Sequence, residues 1–449
     1  MNLKKLAFAL IAAGVSTGAH ATNGMNMDGY GPISSAMGGT SMAYDNGNAA
    51  MMNNPATLSL GQDGNRLDLA VGFLGPDVAA TTNMGMGPMK AGSGGDAYLM
   101  PAVGWTRKDG SWAYGLGMFA QGGMGTEYSA NTWIGMMDGM EQRSELGVGR
   151  VIAPLSYNVN DKLSVGGSLD FVWANLDIKM AMPGAVMAGL ITGMPTLPLP
   201  PAIAGMARLD FSDDNDYTGK AKGTGWAGKL GFVYKASPTV SIGASYHSKT
   251  ALSDMKTGAS GATFFADVNG DGTYDPMIGE AMPGKVTVRD FEWPETFAFG
   301  VAIQATPETM LALDIKHIGW EDVMKNFNMT YSNAFGSVDF ALPQNWDDQT
   351  VLQIGVSHKT SDRLTLRAGA SFASNPIPDQ TVHYLFPAIT ENHVSVGVGY
   401  ALNKDSEINF SLTHAPEVSV TNPGMAPMIP AVDIDHAQTN WQLMYTRRF

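Results

Sequence analysis

Between residues 267 and 275 the chain reads DVNGDGTYD, with an oxygen-bearing side chain at every second position. Asp267, Asn269, Asp271, Thr273 and Asp275 have the order and spacing of positions 1, 3, 5, 7 and 9 of a calcium loop, and Gly272 stands where that loop turns sharply. The last ligand position is Ile278 rather than Glu; the nearest acid is Glu280. The pattern predicts a weak structural calcium ion that orders one loop, with no other cofactor required. A second group lies near the N-terminus: Met25, Met27, Tyr30, Met51 and Met52. Methionine adapts its shape to varied apolar partners, so these five are candidate contacts for a hydrophobic ligand. Nothing points to catalysis. The eight histidines are scattered, there is no cysteine, and no Ser/His pair with an activator stands out, so the chain reads as no enzyme.

The elements that must position these residues begin after a leader. Lys4 and Lys5 precede the apolar run LAFALIAAGV, and AHA at 19–21 is a small-x-small cleavage site, so residues 1–21 read as a secretory signal peptide. The formal net charge of −14 argues against nucleic acid as a partner. With 54 glycines and only 15% charged residues, the composition is unusual for a soluble domain of this length. After the leader no apolar run long enough for a membrane helix escapes proline, but a membrane β-barrel needs only about ten residues per strand.

Alternation dominates beyond residue 100. In NHVSVGVGYAL (392–402) Val394, Val396, Val398, Tyr400 and Leu402 share one face; LSVGGSLDFVW (163–173) and RLTLRAGASF (363–372) repeat the pattern. One face is apolar, the other small, polar or charged. Short turns near 108–111, 159–161, 236–238, 306–308, 360–362 and 403–405 alternate with long segments at 75–97, 122–143, 180–220, 254–284, 330–345, 374–391 and 415–438. Six short and seven long connections predict an all-β fold: a 14-stranded antiparallel transmembrane barrel over residues 65–449, with its turns in the periplasm and its loops outside the cell. The C-terminal NWQLMYTRRF closes on an apolar face ending in Phe449. A soluble β-sandwich would leave the alternating connection lengths unexplained.

A barrel that wide cannot fill its own bore with wall side chains. Residues 22–64 precede the first strand, expected near Arg66–Leu74, and carry no sheet pattern, so they are the expected plug, or hatch. In the hatch motif Asn54, Pro55 and Ala56, Asn54 is biased to an extended backbone and Pro55 can open a short helical turn. The loop at 180–207 has no charge and five prolines, with short helical pieces expected around 184–193. It reads either as a binding surface or as a cap packed on other loops.

The stretch GPISSAMGGTSMAYDNGNAAMMNNPATLS resembles the hatch of the FadL family of outer-membrane transporters for long-chain fatty acids and aromatic hydrocarbons. YGLGMFAQGGMGTEY, PETFAFGVAIQATPETMLALDIKHIGW, LTLRAGASFASNPIPDQTVHYLFPAI and HVSVGVGYALNKDSEINFSLTH resemble further segments in the family's order. The resemblance implies a monomer in the lipid and lipopolysaccharide of a Gram-negative outer membrane, taking up hydrophobic small molecules by passive diffusion. It also implies a kink in the third strand that opens the wall sideways, matching Gly122 and Gly123 here, with Gly125 just beyond. Adjacent glycines weaken a strand and permit a bulge. A fatty acid would need a cation near its carboxylate, and Arg208, Lys220, Lys222 and Lys256 are the nearby candidates in the large loops. The alternative function is an adhesin or receptor acting through its extracellular loops; a diffusion porin would instead conduct ions.

Overall fold

The computed structural model describes residues 23–85, 87–199, 203–215, 217–425 and 429–449; the signal peptide expected at 1–21 lies outside the described residues. No described helix is long and apolar enough to cross a membrane. The strands that close the sheet are β1 (Gly64–Asn83), β2 (Tyr98–Asp109), β3 (Trp112–Tyr128), β4 (Gln142–Asn158), β5 (Leu163–Pro183), β6 (Met206–Phe211), β7 (Ala221–Ser237), β8 (Val240–His247) and β9 (Met255–Lys256). They continue with β10 (Ala262–Ala266), β11 (Ala281–Arg289), β12 (Thr296–Thr306), β13 (Thr309–Ile318), β14 (Gln349–Lys359), β15 (Leu364–Ala373), β16 (Asn392–Asn403), β17 (Ser406–Asn422) and β18 (Val432–Arg448).

The expectation of fourteen strands is corrected: the closed antiparallel circuit has eighteen. Near the short turns β5 pairs directly with β7, from Leu163↔Tyr234 to Leu176↔Ala221. Farther up, β5 turns to β6 instead, and the ladder runs on through β10, β11 and β9 before it regains β7. These four strands come from the connections around 180–220 and 254–284, which read as loops because they are short and interrupted by proline and glycine. They splice extra wall into one side of the barrel. The first and last strands then close the circuit, from Arg66↔Arg448 to Thr82↔Val432. The first strand is also longer than the Arg66–Leu74 read from the sequence.

Alternation decides which side meets lipid. Leu169 and Leu230 are 59% and 68% exposed, while their neighbours Asp170 and Lys229 are buried in the lumen. Trp112, Tyr234, Tyr400 and Tyr445 stand exposed near the short turns, where amphipathic rings suit a membrane interface. Above the wall, residues 184–199 form a cap. It contributes the helix α2 (Gly184–Gly189), and its Ile191 and Thr192 pair with Phe340 and Asp339 of the hairpin Asn326–Asn333/Gly336–Pro343. Met180, Met182, Met187 and Leu197 are buried in the same apolar cluster as Phe264, Tyr331 and Phe340.

The leading segment fills the lumen. From Asn23 to Ser59 nearly every residue is buried. It is built from turns, the one-turn helix α1 (Pro32–Ser35) and 3-10 turns at Gly47–Met51 and Pro55–Leu60. Proline opens two of these, since the first helical N–H lacks a partner in any case. Asn54 is extended, as the residue before a proline should be, and its Oδ1 accepts from the Ala56 N–H at 3.1 Å. Inward side chains of the wall hold the segment. Asp314 of β13 accepts from the N–H groups of Ser41 and Met42 at 2.6 and 3.1 Å. Gln353 of β14 donates to the Asp28 carbonyl at 2.8 Å, and Gln442 of β18 to Ser35 Oγ at 2.8 Å. Asn54 reaches the Phe232 carbonyl of β7 at 3.1 Å, and Asn48 the Gly104 carbonyl of β2 at 2.6 Å.

Candidate functional site: a cavity that breaches the wall

The ladder between β2 and β3 is cut short. β2 pairs with β1 along its whole run from Tyr98 to Lys108, but with β3 only from Val103↔Met118 to Asp109↔Trp112. Above that level Tyr98–Ala102 and Phe119–Tyr128 face each other without a ladder. β3 meanwhile stays paired with β4 up to Tyr128↔Gln142, and a bulge at Gln121 lies between Ala120 and Gly122. An extra residue bends and twists the bulged strand, which carries β3 away from β2.

The backbone groups freed on β3 are taken up by the leading segment. Gly123 N–H donates to the Met25 carbonyl at 3.2 Å, and Asn26 forms a bridge with Gly122. The Tyr30 hydroxyl donates to the Gln121 carbonyl at 2.7 Å. Burial pushes that hydroxyl well above its ordinary range, so it stays a donor. Trp293 Nε1 holds Asn26 Oδ1 at 2.8 Å. Gly122 is required by this approach: a Cβ there would run into the Met25 carbonyl and come within 3.3 Å of Trp293. Higher up the gap is rejoined, Gly94 N–H donating to the Glu127 carbonyl at 2.7 Å.

A cavity of about 320 Å³ opens at this split. It is lined by Met25 and Met27 of the leading segment, by His436 and Gln438 of β18, and by Pro387 and Ala388. Leu99 and Met118 line it too, yet they point outward and are 46% and 39% exposed. A single space is therefore bounded by lumen residues and by lipid-facing ones, so it passes through the wall. Its volume lies in the range of small-molecule sites. No Lys or Arg is among its described lining residues. Beneath it a space of about 30 Å³ shares Asn26 and Met27 with it and is lined by Arg150, His247 and Lys316. Arg150 is held there by Gln121 and, at 2.9 Å, by Asp170, which also receives Lys229.

The structure thus brings Met25, Met27, Gly122, Gly123 and Gly125 to one cavity. Tyr30 and Met52 line the smaller space below, and Met51 is packed lower still against Phe119 and Ile152. Asn54, Pro55 and Ala56 anchor the leading segment and touch neither space. Sequence reasoning misses Tyr98, Leu99, His436 and Gln438, because each occupies an ordinary place in an alternating strand. Pro101, also in the lining, is the available signal: a proline interrupts a ladder and suits an edge. Of the head-group candidates, Arg208 is buried against Asp138 and Asp210 in the cap, and none of the four lines the cavity.

In the acidic loop two carboxylates are engaged by the loop's own amides. Asp267 accepts the N–H groups of Gly270 at 2.7 Å and Gly272 at 3.0 Å, and buried Glu280 accepts those of Val268 and Asp275 at 2.7 and 2.8 Å. These carboxylates fold the loop through its own amides. Among the described residues no three acidic or histidine side chains converge.

A family model described as outer membrane protein transport protein (OMPP1/FadL/TodX) matches residues 8–438. The fold is similar to that of the Pseudomonas putida toluene transporter TodX, at 30% identity over 95% of this chain and 100% of that one, with a TM-score of 0.78. It is also similar to the Ralstonia pickettii toluene transporter TbuX, at 29% identity over 94% and 99%, with a TM-score of 0.73. Against the Shigella flexneri long-chain fatty acid transport protein it is 22% identical over 273 residues. The chain spans 38% and 59% of the length of the first curated relatives it matches. A closed barrel with a greasy exterior, a breached third strand and one family model over nearly all its length lead to one conclusion: the chain belongs to the OMPP1/FadL/TodX family of outer membrane transport proteins, not to a family of enzymes.

Proposed function

We propose that this protein takes up small hydrophobic molecules across the outer membrane, passing them from the cavity through the split between β2 and β3 into the membrane. Residues 22–64 serve as the plug that denies the solute a straight aqueous path. The observation that carries the reading is the mixed lining: buried Met25 and Met27 share one space with outward-facing Leu99 and Met118. An apolar solute gains about 0.8 kcal/mol for each methylene it buries, so a continuous greasy route suits it and a polar bore does not. The lining without Lys or Arg favours an uncharged solute, in keeping with the toluene transporters TodX and TbuX among its relatives. A closed circuit leaves no free sheet edge, which supports a monomer seated in lipid and lipopolysaccharide. An adhesin would have no use for such a cavity.

Gly122→Val tests this. The added methyls strike the Met25 carbonyl and close the split from inside, so uptake of ring-labelled toluene by producing cells is expected to fall to near the empty-vector background. Full uptake by a variant that still shows the heat-shifted mobility of a folded barrel would defeat the side route.

The small space with Arg150 and Lys316 favours a second reading, a long-chain fatty acid with its carboxylate seated below and its chain above. Lys316→Met is expected to lower the ratio of oleate to toluene uptake severalfold. A ratio that stays put would remove the fatty acid from consideration.

A further inference from the structure

The cavity is not uniformly greasy. His436 and Gln438 follow each other on the inward face of β18 and are 7% and 6% exposed. His436 Nδ1 lies 2.7 Å from the Pro387 carbonyl. A carbonyl only accepts, so Nδ1 carries the proton, and the neutral ring presents Nε2 as an acceptor. That Nε2 is buried without a partner. Asp28, 3% exposed and also in the lining, leaves Oδ2 without a partner as well. Gln438 forms no side-chain hydrogen bond to the described residues, so its amide can both donate and accept.

A buried polar atom without a partner is costly, and native structures rarely keep one without a reason. Here two unpartnered acceptors and a free amide border the same apolar space. A pure hydrocarbon leaves all three unanswered. A carboxylate answers the amide but has no proton to donate to either acceptor. A neutral hydroxyl answers two of the three: its O–H donates to one of the buried acceptors, and its oxygen accepts from the Gln438 amide.

Resting on the uptake reading above, we propose that the polar side of the cavity, formed by His436, Gln438 and Asp28, is a subsite for an uncharged hydroxyl, and that the preferred solute is a hydroxylated arene of the phenol class rather than a bare hydrocarbon. A site built around a substrate hydroxyl discriminates against the analogue that lacks it more strongly than an apolar pocket discriminates by size.

The test follows ring-labelled p-cresol and toluene into cells producing the full chain, with empty-vector rates subtracted. The wild type is expected to take up p-cresol faster than toluene. His436→Phe keeps the ring and removes the acceptor, and should lower the cresol-to-toluene ratio about tenfold, the effect of one well-formed hydrogen bond. Gln438→Leu should lower it in the same direction, and it guards against a folding defect in the first variant. A ratio unaltered in both folded variants overturns the hydroxyl subsite and leaves hydrocarbon uptake standing. Neither solute entering above the vector background would overturn the uptake reading itself.

Discussion

Asp170 illustrates how single residues hold this lumen together. It is fully buried on β5 and receives both Arg150 from β4 and Lys229 from β7, so one carboxylate ties three neighbouring strands. Removing one partner of a buried ion pair leaves charge without compensation, at about 3–5 kcal/mol. Asp170→Asn is therefore expected to destabilise the barrel by about that much, read as a lower urea midpoint for loss of its heat-shifted mobility. An unchanged midpoint would mean that water already compensates the two cations. Gly122 acts at the same scale with a different physics. Its contribution is the absence of a side chain where two backbones meet, so the Gly122→Val effect on uptake should far exceed its effect on stability.

Among the elements, the loop at 374–391 is the roof of the cavity. Pro387 and Ala388 line the space, and Tyr384 packs edge-on against Tyr128 of β3 with ring centroids 5.7 Å apart. His383 in this loop accepts from the Leu385 N–H at 3.1 Å, and burial lowers its pKa to about 4. A histidine with a depressed folded value favours the docked loop fully above its ordinary value near 6.5. As pH falls from there towards about 4, the opened loop takes up a proton that the docked loop refuses, and docking weakens. Amide exchange of the peptide covering 381–386, corrected for intrinsic rates, should lose protection between about pH 7 and about pH 5. His383→Phe should abolish that loss. Protection independent of pH in the unaltered chain would show that another contact governs the roof.

At the scale of the whole molecule a closed circuit of paired strands surrounds a buried leading segment, and the plug role proposed for that segment can be tested electrically. Planar bilayers containing the full chain are expected to stay electrically silent. Removal of residues 23–60 takes away the anchors to Asp314, Gln353 and Gln442 and should produce stepwise conductance. A silent deletion variant that folds would show that the cap, with Trp293, Trp320 and Trp346 buried in its cluster, already seals the bore.

The sequence by itself determined what depends on near neighbours along the chain. The two-residue alternation around Leu169, Leu230 and Val394 is enough to assign an apolar outside and a polar inside, because successive side chains must point opposite ways. The six short turns are likewise local, as are the extended Asn54 and the turn opened by Pro55. Tertiary structure decided everything that is a relation between distant segments. Whether β5 pairs with β7 or turns aside to β6, and so whether the circuit counts fourteen strands or eighteen, depends on partners far along the chain. The glycines of β3 and Pro101 of β2 permit the parting of these two strands, and Met25 arriving from the leading segment completes it. Met51 and Met25 look alike in the sequence, yet only Met25 reaches the cavity. A side chain's type is written in the chain, but the space it borders exists only once other backbones have closed around it.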